Sequence, residues 1–317
     1  RLKVAFVSLG CAKNLVNTEQ MMALCREAGY EVTGEPDGAD VAVVNTCGFI
    51  DSAKSEAIDT ILSIAPLKEK GRLGKLLVAG CLSQRYQDEI LEELPEVDGI
   101  LGTGSYTDIV PAIQSAVEGD TPTYFGDIDR TIEDGARLVS TPGYMAYLKI
   151  AEGCDNRCAY CVIPSLRGRY RSRTMESLLE EAKGLADAGV QELLVVAQDI
   201  TRYGTDLYGR RRLADLLTEL CKLPFHWIRL HYLYPDEIDE ELIDVIAREP
   251  KIVKYLDIPI QHLSDKILKA MNRRGTGALI SEVISALREK MPGVVLRTSI
   301  IVGFPGEGEE EFEELCR

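Results

Sequence analysis

The sequence predicts an α/β protein in two parts, an open parallel-sheet α/β domain followed by an incomplete (β/α) barrel. Three observations carry this. Short runs rich in Val and Leu alternate with amphipathic stretches along most of the 317 residues, the pattern of buried parallel strands joined by crossover helices. Over residues 118–143 the alternation lapses into Gly, Asp, Thr and Pro, the composition of a connection between domains. A cysteine also follows each of the first three strands, at the edge where open α/β sheets bind ligands. The expected division is a domain over residues 1–118, a linker over 119–143 and a second domain over 144–317.

In the first part, strands over residues 2–9, 41–46 and 75–79 precede helices over 15–28, 53–67 and 84–94. Cys11, Cys47 and Cys81 each lie within two residues of a strand's carboxyl end. One such placement is ordinary for a residue type that is often buried. Three in the same topological position point to a shared ligand, although the thiols are 36 and 34 residues apart. Cys25, Cys221 and Cys316 fall inside helical patterns and read as core or surface residues.

The second part opens with a strand over 144–150, then helix 175–188, strand 192–197, helix 212–221, strand 227–233, helix 237–247, strand 255–260, helices 266–271 and 280–290, and strand 294–302. Five parallel strands begin a (β/α) barrel, whose active-site groups belong at the strand carboxyl ends. Polar residues gather there: Gln198-Asp199, His231, Tyr234, Gln261-His262, Arg297, Thr298 and the turn Gly303-Phe304-Pro305-Gly306-Glu307. The basic segment 167–173 (RGRYRSR) suits a carboxylate or phosphate. It equally suits the acidic helix that follows, with Glu176, Glu180 and Glu181.

Composition narrows the class. With 45% hydrophobic and 27% charged residues the chain has a soluble globular balance. No run approaches the ~20 apolar residues of a membrane span, and no signal-peptide pattern opens the chain. Nine cysteines at irregular spacing fit metal-ligating thiols in a reducing compartment, so a cytoplasmic location is expected. A net charge of −15, from 36 Lys and Arg against 51 Asp and Glu, works against phosphate contacts and favours a basic partner.

The most specific stretch is Gly153-Cys154-Asp155-Asn156-Arg157-Cys158-Ala159-Tyr160-Cys161, directly after a strand. Three thiolates on one loop hold three irons of a four-iron cluster and leave the fourth open to a substrate. A structural zinc site is the alternative, but it takes four ligands, and no further His or Cys lies within thirty residues on either side. The C-x3-C-x2-C spacing with Tyr160 before the last cysteine resembles the radical S-adenosylmethionine (SAM) enzymes, in which SAM chelates the open iron.

The two cysteine sets together resemble the methylthiotransferases, a radical SAM family with two four-iron clusters, over the whole chain. The resemblance implies that Cys154, Cys158 and Cys161 hold the SAM-binding [4Fe-4S] cluster. It implies that Cys11, Cys47 and Cys81 hold an auxiliary [4Fe-4S] cluster, and that these six thiols form the catalytic set. Tyr160, Gln198, Asp199, Gln261, Arg297 and Gly303 are the further residues expected at the cofactor. Three stretches, Val7-Ser8-Leu9-Gly10-Cys11-Ala12-Lys13-Asn14, Gly153-Cys154-Asp155-Asn156-Arg157-Cys158 and Asp257-Ile258-Pro259-Ile260-Gln261-His262, are similar to the branch that methylthiolates an aspartate of small-subunit ribosomal protein number twelve. The tRNA-modifying relatives usually carry Gln or Lys where Ala12 stands, and tend to have Gln-Ser-Gly-Ser in place of Gln261-His262-Leu263-Ser264. Asn17 and Gly308 depart from the family pattern, which has Asp and Thr there, and neither is expected to touch a ligand.

Implied partners are that ribosomal protein, in or near the small subunit, and a reductase such as flavodoxin or ferredoxin, with no membrane and with tRNA disfavoured. The chain stops inside a helical stretch, and the family's C-terminal TRAM domain is absent from these 317 residues, so the native protein is expected to continue. An aspartate β-carbon has no acidic hydrogen, so the implied reaction is radical, with the cofactors doing the chemistry and the protein positioning them. Two other readings stand beside this one. A tRNA methylthiotransferase keeps the chemistry and changes the substrate. A non-catalytic iron–sulfur or zinc protein predicts no SAM binding, and an electron-transfer cluster asks for four protein ligands where each set offers three.

Overall fold

The computed structural model describes residues 1–132 and 135–317. Residues 133 and 134 of the stretch expected as a linker lie outside the described residues. The chain divides into two compact units, Arg1–Ser140 with Ser165–Arg169, and Thr141–Pro164 with Tyr170–Arg317.

The first unit is built on six parallel strands: β1 (Lys3–Ser8), β2 (Glu31–Thr33), β3 (Val41–Thr46), β4 (Lys75–Gly80), β5 (Gly99–Leu101) and β6 (Thr123–Tyr124). Side chains alternate between the sheet faces. Val4, Phe6, Val41, Val43, Leu77 and Ala79 pack on one face against residues of helices Ala12–Glu27 and Ile109–Val117. Ala5, Ala42, Val44, Leu76 and Val78 pack on the other, against Ala57, Ile61 and Ile64 of helix Asp51–Ile64. Both faces are covered, which is why these strands read as unbroken apolar runs.

The strand order is β2-β1-β3-β4-β5-β6. It reverses direction between β1 and β3, and such a switch point leaves a crevice beyond the strand carboxyl ends. The three-fold pattern seen in the sequence omits β2, β5, β6 and helix Ile109–Val117; strands of two or three residues are too short to show a period. The single helix expected over 84–94 is two, Cys81–Tyr86 and Asp88–Glu93, because Gln87 has a left-handed φ of 46° that no α-helix continues through. Within the stretch read as linker, β6 pairs with β5, and the Ser140 backbone N–H donates to Glu19 Oε2 at 2.8 Å.

The second unit carries β7 (Met145–Lys149), β8 (Ala151–Glu152), β9 (Arg171–Ser172), β10 (Glu192–Val196), β11 (Trp227–Leu230), β12 (Ile252–Asp257) and β13 (Val295–Arg297). β8 and β9 form a small antiparallel pair. The other five strands are parallel in the order β13-β12-β11-β10-β7, each beside its predecessor, which is barrel-like winding and bears out the expected fold class. Leu148, Leu193, Val195, Ile228, Leu230 and Leu256 face the covering helices, among them Met175–Asp187, Leu213–Leu220, Glu240–Arg248 and Gly277–Lys290. β12 begins and ends earlier than the 255–260 expected: its ladder with β11 starts at Ile252, and Pro259 has no N–H to extend it. β13 is shorter than 294–302, and past it only an isolated bridge joins Ile300 to Gln261. Among the described residues no helix is long and apolar enough to cross a membrane.

Leu77 is fully buried on β4, so Leu77→Ala should cost about 2–5 kcal/mol by lost transfer energy plus a cavity. The denaturant midpoint should fall with its slope unchanged; an unaltered midpoint would mean this face is not packed as described.

Candidate functional site

Strand register brings the first three thiols level. β1 pairs with β3 through Ser8↔Asn45, and β3 with β4 through Thr46↔Gly80, so Cys47 and Cys81 each follow a paired position. Cys11 comes three residues past the end of β1, as the N-cap of helix Ala12–Glu27. Glycines let the loops close. A Cβ on Gly10, itself at φ +83°, would lie 2.6 Å from Cys47 Cβ and 3.2 Å from its sulfur. A Cβ on Gly48 would lie 2.9 Å from Leu82 Cα and 3.2 Å from the Cys81 carbonyl carbon.

Asn14 ties these loops to the helix. Its Nδ2 donates to the carbonyls of Leu9 at 2.8 Å, Thr46 at 3.2 Å and Asn45 at 3.3 Å. Its Oδ1 accepts from Arg167 Nη2 at 3.0 Å and Tyr106 Oη at 3.3 Å. Arg167, buried at 3% exposure, also donates from Nη1 to Asn17 Oδ1 at 2.8 Å. Burial pushes the Cys11 thiol up, but Lys13, Arg167 and the backbone N–H groups of Asn14 and Lys13 outweigh it and hold the thiol below its ordinary value. Cys81 stays above its ordinary value because it is buried; a hydrogen bond from Arg167 opposes this, while Cys11 and Cys47 add to it. Cys11 and Cys81 therefore share one buried cation, and Cys81 feels both other thiols.

The second set lies on the loop after β8. Cys158 is buried, Cys154 and Cys161 are half-buried, and the Cys161 N–H donates to Cys158 O at 3.0 Å. The segment after helix Asp265–Ala270 clasps this loop. The Ala159 N–H donates to Met271 O at 2.8 Å, Asn272 Nδ2 to Arg157 O at 2.8 Å and Arg274 Nη2 to Asn156 Oδ1 at 2.7 Å. Burial, with Asp199 and the other two thiols adding to it, pushes Cys154 up to about 12. Cys161 is raised too, again chiefly by burial.

The other predicted cofactor residues divide into two groups. Gln198 and Asp199 follow β10, and Asp199 acts electrostatically on Cys154. Burial lifts the Asp199 carboxyl to about 6 against the pull of its Thr201 hydrogen bonds. Gln198 Nε2 donates to Glu152 Oε1 at 2.8 Å. Gln198 Oε1 and Asp199 Oδ2 are buried acceptors that find no hydrogen-bond partner among the described residues, an arrangement that fits a donor such as an amino group. The half-buried Tyr160 places its hydroxyl 3.4 Å from Arg273 Nη1. Gln261, by contrast, is a non-glycine residue at φ 67° after β12. Arg297 ends the edge strand β13 and is exposed, and Gly303 lies beyond it with its N–H donating to Glu307 Oε1 at 2.9 Å. In strand order these last residues sit at the opposite side of the sheet from β7.

Sequence reasoning missed several residues. Arg167, expected with its basic segment to meet an anion or the acidic helix, binds the amide oxygens of Asn14 and Asn17, and Arg173 of that segment pairs with the acidic helix, at 2.6 Å from Glu181 Oε2. Asn17, expected to touch no ligand, holds Arg167 in place. Lys149 and Glu152 form a buried pair at 2.8 Å beside Gln198; a lysine inside an apolar strand was the available signal. Cys25 is a buried core thiol pushed up to about 12.

Among the described residues no three His, Cys, Asp or Glu side chains converge on a single metal ion. A four-iron cluster does not need that convergence, because each thiolate takes a different iron. Two sets of three mutually interacting thiols, one shaped by glycine contacts and the other beside orphaned acceptors, fit such groups.

Comparison with known proteins agrees. The model of the Radical SAM superfamily matches residues 148–317, and that described as Uncharacterized protein family UPF0004 matches residues 3–102. Proteins named ribosomal protein uS12 methylthiotransferase RimO are 53% identical in Clostridioides difficile and 52% in Geobacter sulfurreducens, each over 99% of this chain and 71% of the relative. The Lachnoclostridium phytofermentans protein of that name is 51% identical over 99% of this chain and 72% of its own. Two solved structures share the fold at 14% identity. The radical S-adenosylmethionine methyltransferase TsrM from Kitasatospora setae has a TM-score of 0.74, covering 100% of this chain and 70% of that one. The cobalamin-dependent S-adenosylmethionine radical enzyme OxsB has a TM-score of 0.67, covering 99% and 51%.

The thiolate is the nucleophile, so in metal-free protein Cys11, held below its ordinary value, should be alkylated at a lower pH than Cys154, pushed up to about 12. Peptide mapping after iodoacetamide labelling at stepped pH reads the order. Equal labelling of both thiols near neutrality would contradict the electrostatics described.

Proposed function

We propose that this chain, which belongs to the RimO family of ribosomal protein uS12 methylthiotransferases, adds a methylthio group to the β-carbon of an aspartate in uS12. It is a radical SAM enzyme whose cofactors are S-adenosylmethionine and two [4Fe-4S] clusters. The observation that carries the reading is the pair of three-thiol sets, one at the carboxyl edge of the first parallel sheet and one on the loop after β8. In this reading Cys154, Cys158 and Cys161 hold the SAM-binding cluster, and Cys11, Cys47 and Cys81 hold the auxiliary one. Residues 1–118 then form the methylthiotransferase domain and residues 144–317 the radical SAM domain, with 119–143 linking them.

When bound, the cofactors supply radical removal of hydrogen from a carbon without acidic hydrogens, together with the sulfur and methyl group placed there. The chain's own residues bind and orient. Gln198 Oε1 and Asp199 Oδ2 are free acceptors for the SAM amino group. Gly10 and Gly48 admit the close loop approach that gathers the auxiliary thiols. Arg167 offsets their negative charge at a buried position, where an uncompensated charge is costly. Tyr160, Gln261, Arg297 and Gly303 complete the proposed cofactor surroundings.

The acidic chain suits a basic ribosomal protein better than tRNA. The proposed setting is the cytoplasm, at or near the small ribosomal subunit, with a flavodoxin- or ferredoxin-type reductase as electron donor. Anaerobically reconstituted protein given SAM, reductant, small subunits and bulk tRNA should add a methylthio group to a uS12 aspartate, read by mass spectrometry. Addition to tRNA adenosine would keep the chemistry and overturn the substrate.

A further inference from the structure

Cys158 has two side-chain hydrogen-bond partners placed directly on its sulfur. Arg273 Nη1 lies 3.8 Å from Cys158 Sγ and Tyr234 Oη lies 3.7 Å from it. Local structure puts them there. Asn272, with a left-handed φ of 56°, turns the chain just after helix Asp265–Ala270, a conformation that Asn tolerates at helix ends. The next residue, Arg273, is thereby returned toward the cysteine loop, its N–H bonded to Leu268 O at 2.9 Å. Its guanidinium is then fixed on several sides. Nη2 donates to Pro259 O at 2.5 Å, Nη1 lies 3.4 Å from the Tyr160 hydroxyl, and the Tyr234 ring lies 4.1 Å away. Five rigid donors and a permanent charge suit arginine for this place better than lysine.

When Cys158 is a thiolate it has no proton to give, so the Tyr234 hydroxyl donates to it, as Arg273 does. Hydrogen bonds to the sulfurs and local charge are levers that set an iron–sulfur reduction potential. Reduction adds one negative charge, and a fixed cation within 4 Å stabilises the more negative state. We propose that Arg273, assisted by Tyr234, is a positioning residue that holds the Cys158 thiolate and raises the reduction potential of the cluster at this set. The inference rests on assigning Cys154, Cys158 and Cys161 as cluster ligands. The step it concerns is transfer of one electron from a low-potential donor, dithionite in the test, with no bond made or broken.

The test is an anaerobic potentiometric titration followed by electron paramagnetic resonance. It uses the reconstituted chain carrying Cys11→Ala, Cys47→Ala and Cys81→Ala, so that a single set reports. Arg273→Met should move the midpoint to more negative values, lowering the reduced-to-oxidised ratio at fixed potential by about tenfold, or about 59 mV for one electron. Arg273→Lys, which keeps the charge, should recover most of the shift, and Tyr234→Phe should give a smaller shift in the same direction. An unchanged midpoint in Arg273→Met with its cluster signal intact would overturn the proposal, as would a lysine variant no better than methionine. If Arg273→Met holds no iron, Tyr234→Phe and Arg273→Lys decide, and unshifted Tyr234→Phe overturns it. Absence of any cluster signal in the parent would instead sink the ligand assignment beneath it.

Discussion

The first unit depends on one buried side chain, the amide of Asn14. Its nitrogen serves carbonyls at the ends of β1 and β3, and its oxygen receives Arg167 and Tyr106. Leaving such a group unpaired costs about 1–3 kcal/mol per atom, so the strand ends, the helix and the arginine are held in one geometry. Asn45 reinforces it, donating from Nδ2 to Asn14 O at 3.0 Å and Thr18 Oγ1 at 2.9 Å. The consequence is chemical. The β1–β3 edge is a topological switch point, and Cys11 and Cys47 are the thiols that follow its two strands. A crevice that in related sheets takes a nucleotide is here lined with sulfur.

Charge then distinguishes the six thiols. Both sets lose solvent, which disfavours thiolates, and each gains one arginine in compensation, Arg167 near Cys11 and Cys81 and Arg273 near Cys158. Their guanidinium groups donate to neutral oxygens, those of Asn14 and Asn17 for Arg167 and that of Pro259 for Arg273. An amide or carbonyl oxygen orients a cation without adding a negative charge of its own.

Much of this was legible in the sequence because it is local. Strand β3 was readable to the residue, and the cysteine positions at strand ends follow once the βα alternation is recognised. The short strands β2, β5 and β6 were not, since two or three residues carry no period. Missing β2 hid the switch point, which is a property of strand order and not of any one segment. The arginines were hidden for a different reason. Arg167 sits 153 residues from Asn14, and Arg273 sits 115 from Cys158; nothing in the local pattern of either announces its partner. Asn17 looked like a neutral departure from the family pattern, and only its bond to Arg167 gives it a role.

The central claim is that two separate thiol sets each hold their own four-iron cluster. Iron and sulfide analysis with Mössbauer spectroscopy on three anaerobically reconstituted proteins tests it most directly. The unaltered chain should bind about eight irons, and the chains lacking either Cys11, Cys47 and Cys81 or Cys154, Cys158 and Cys161 should each bind about four, as intact [4Fe-4S] clusters. Loss of all iron from either triple variant, or retention of about eight by one of them, would contradict the account.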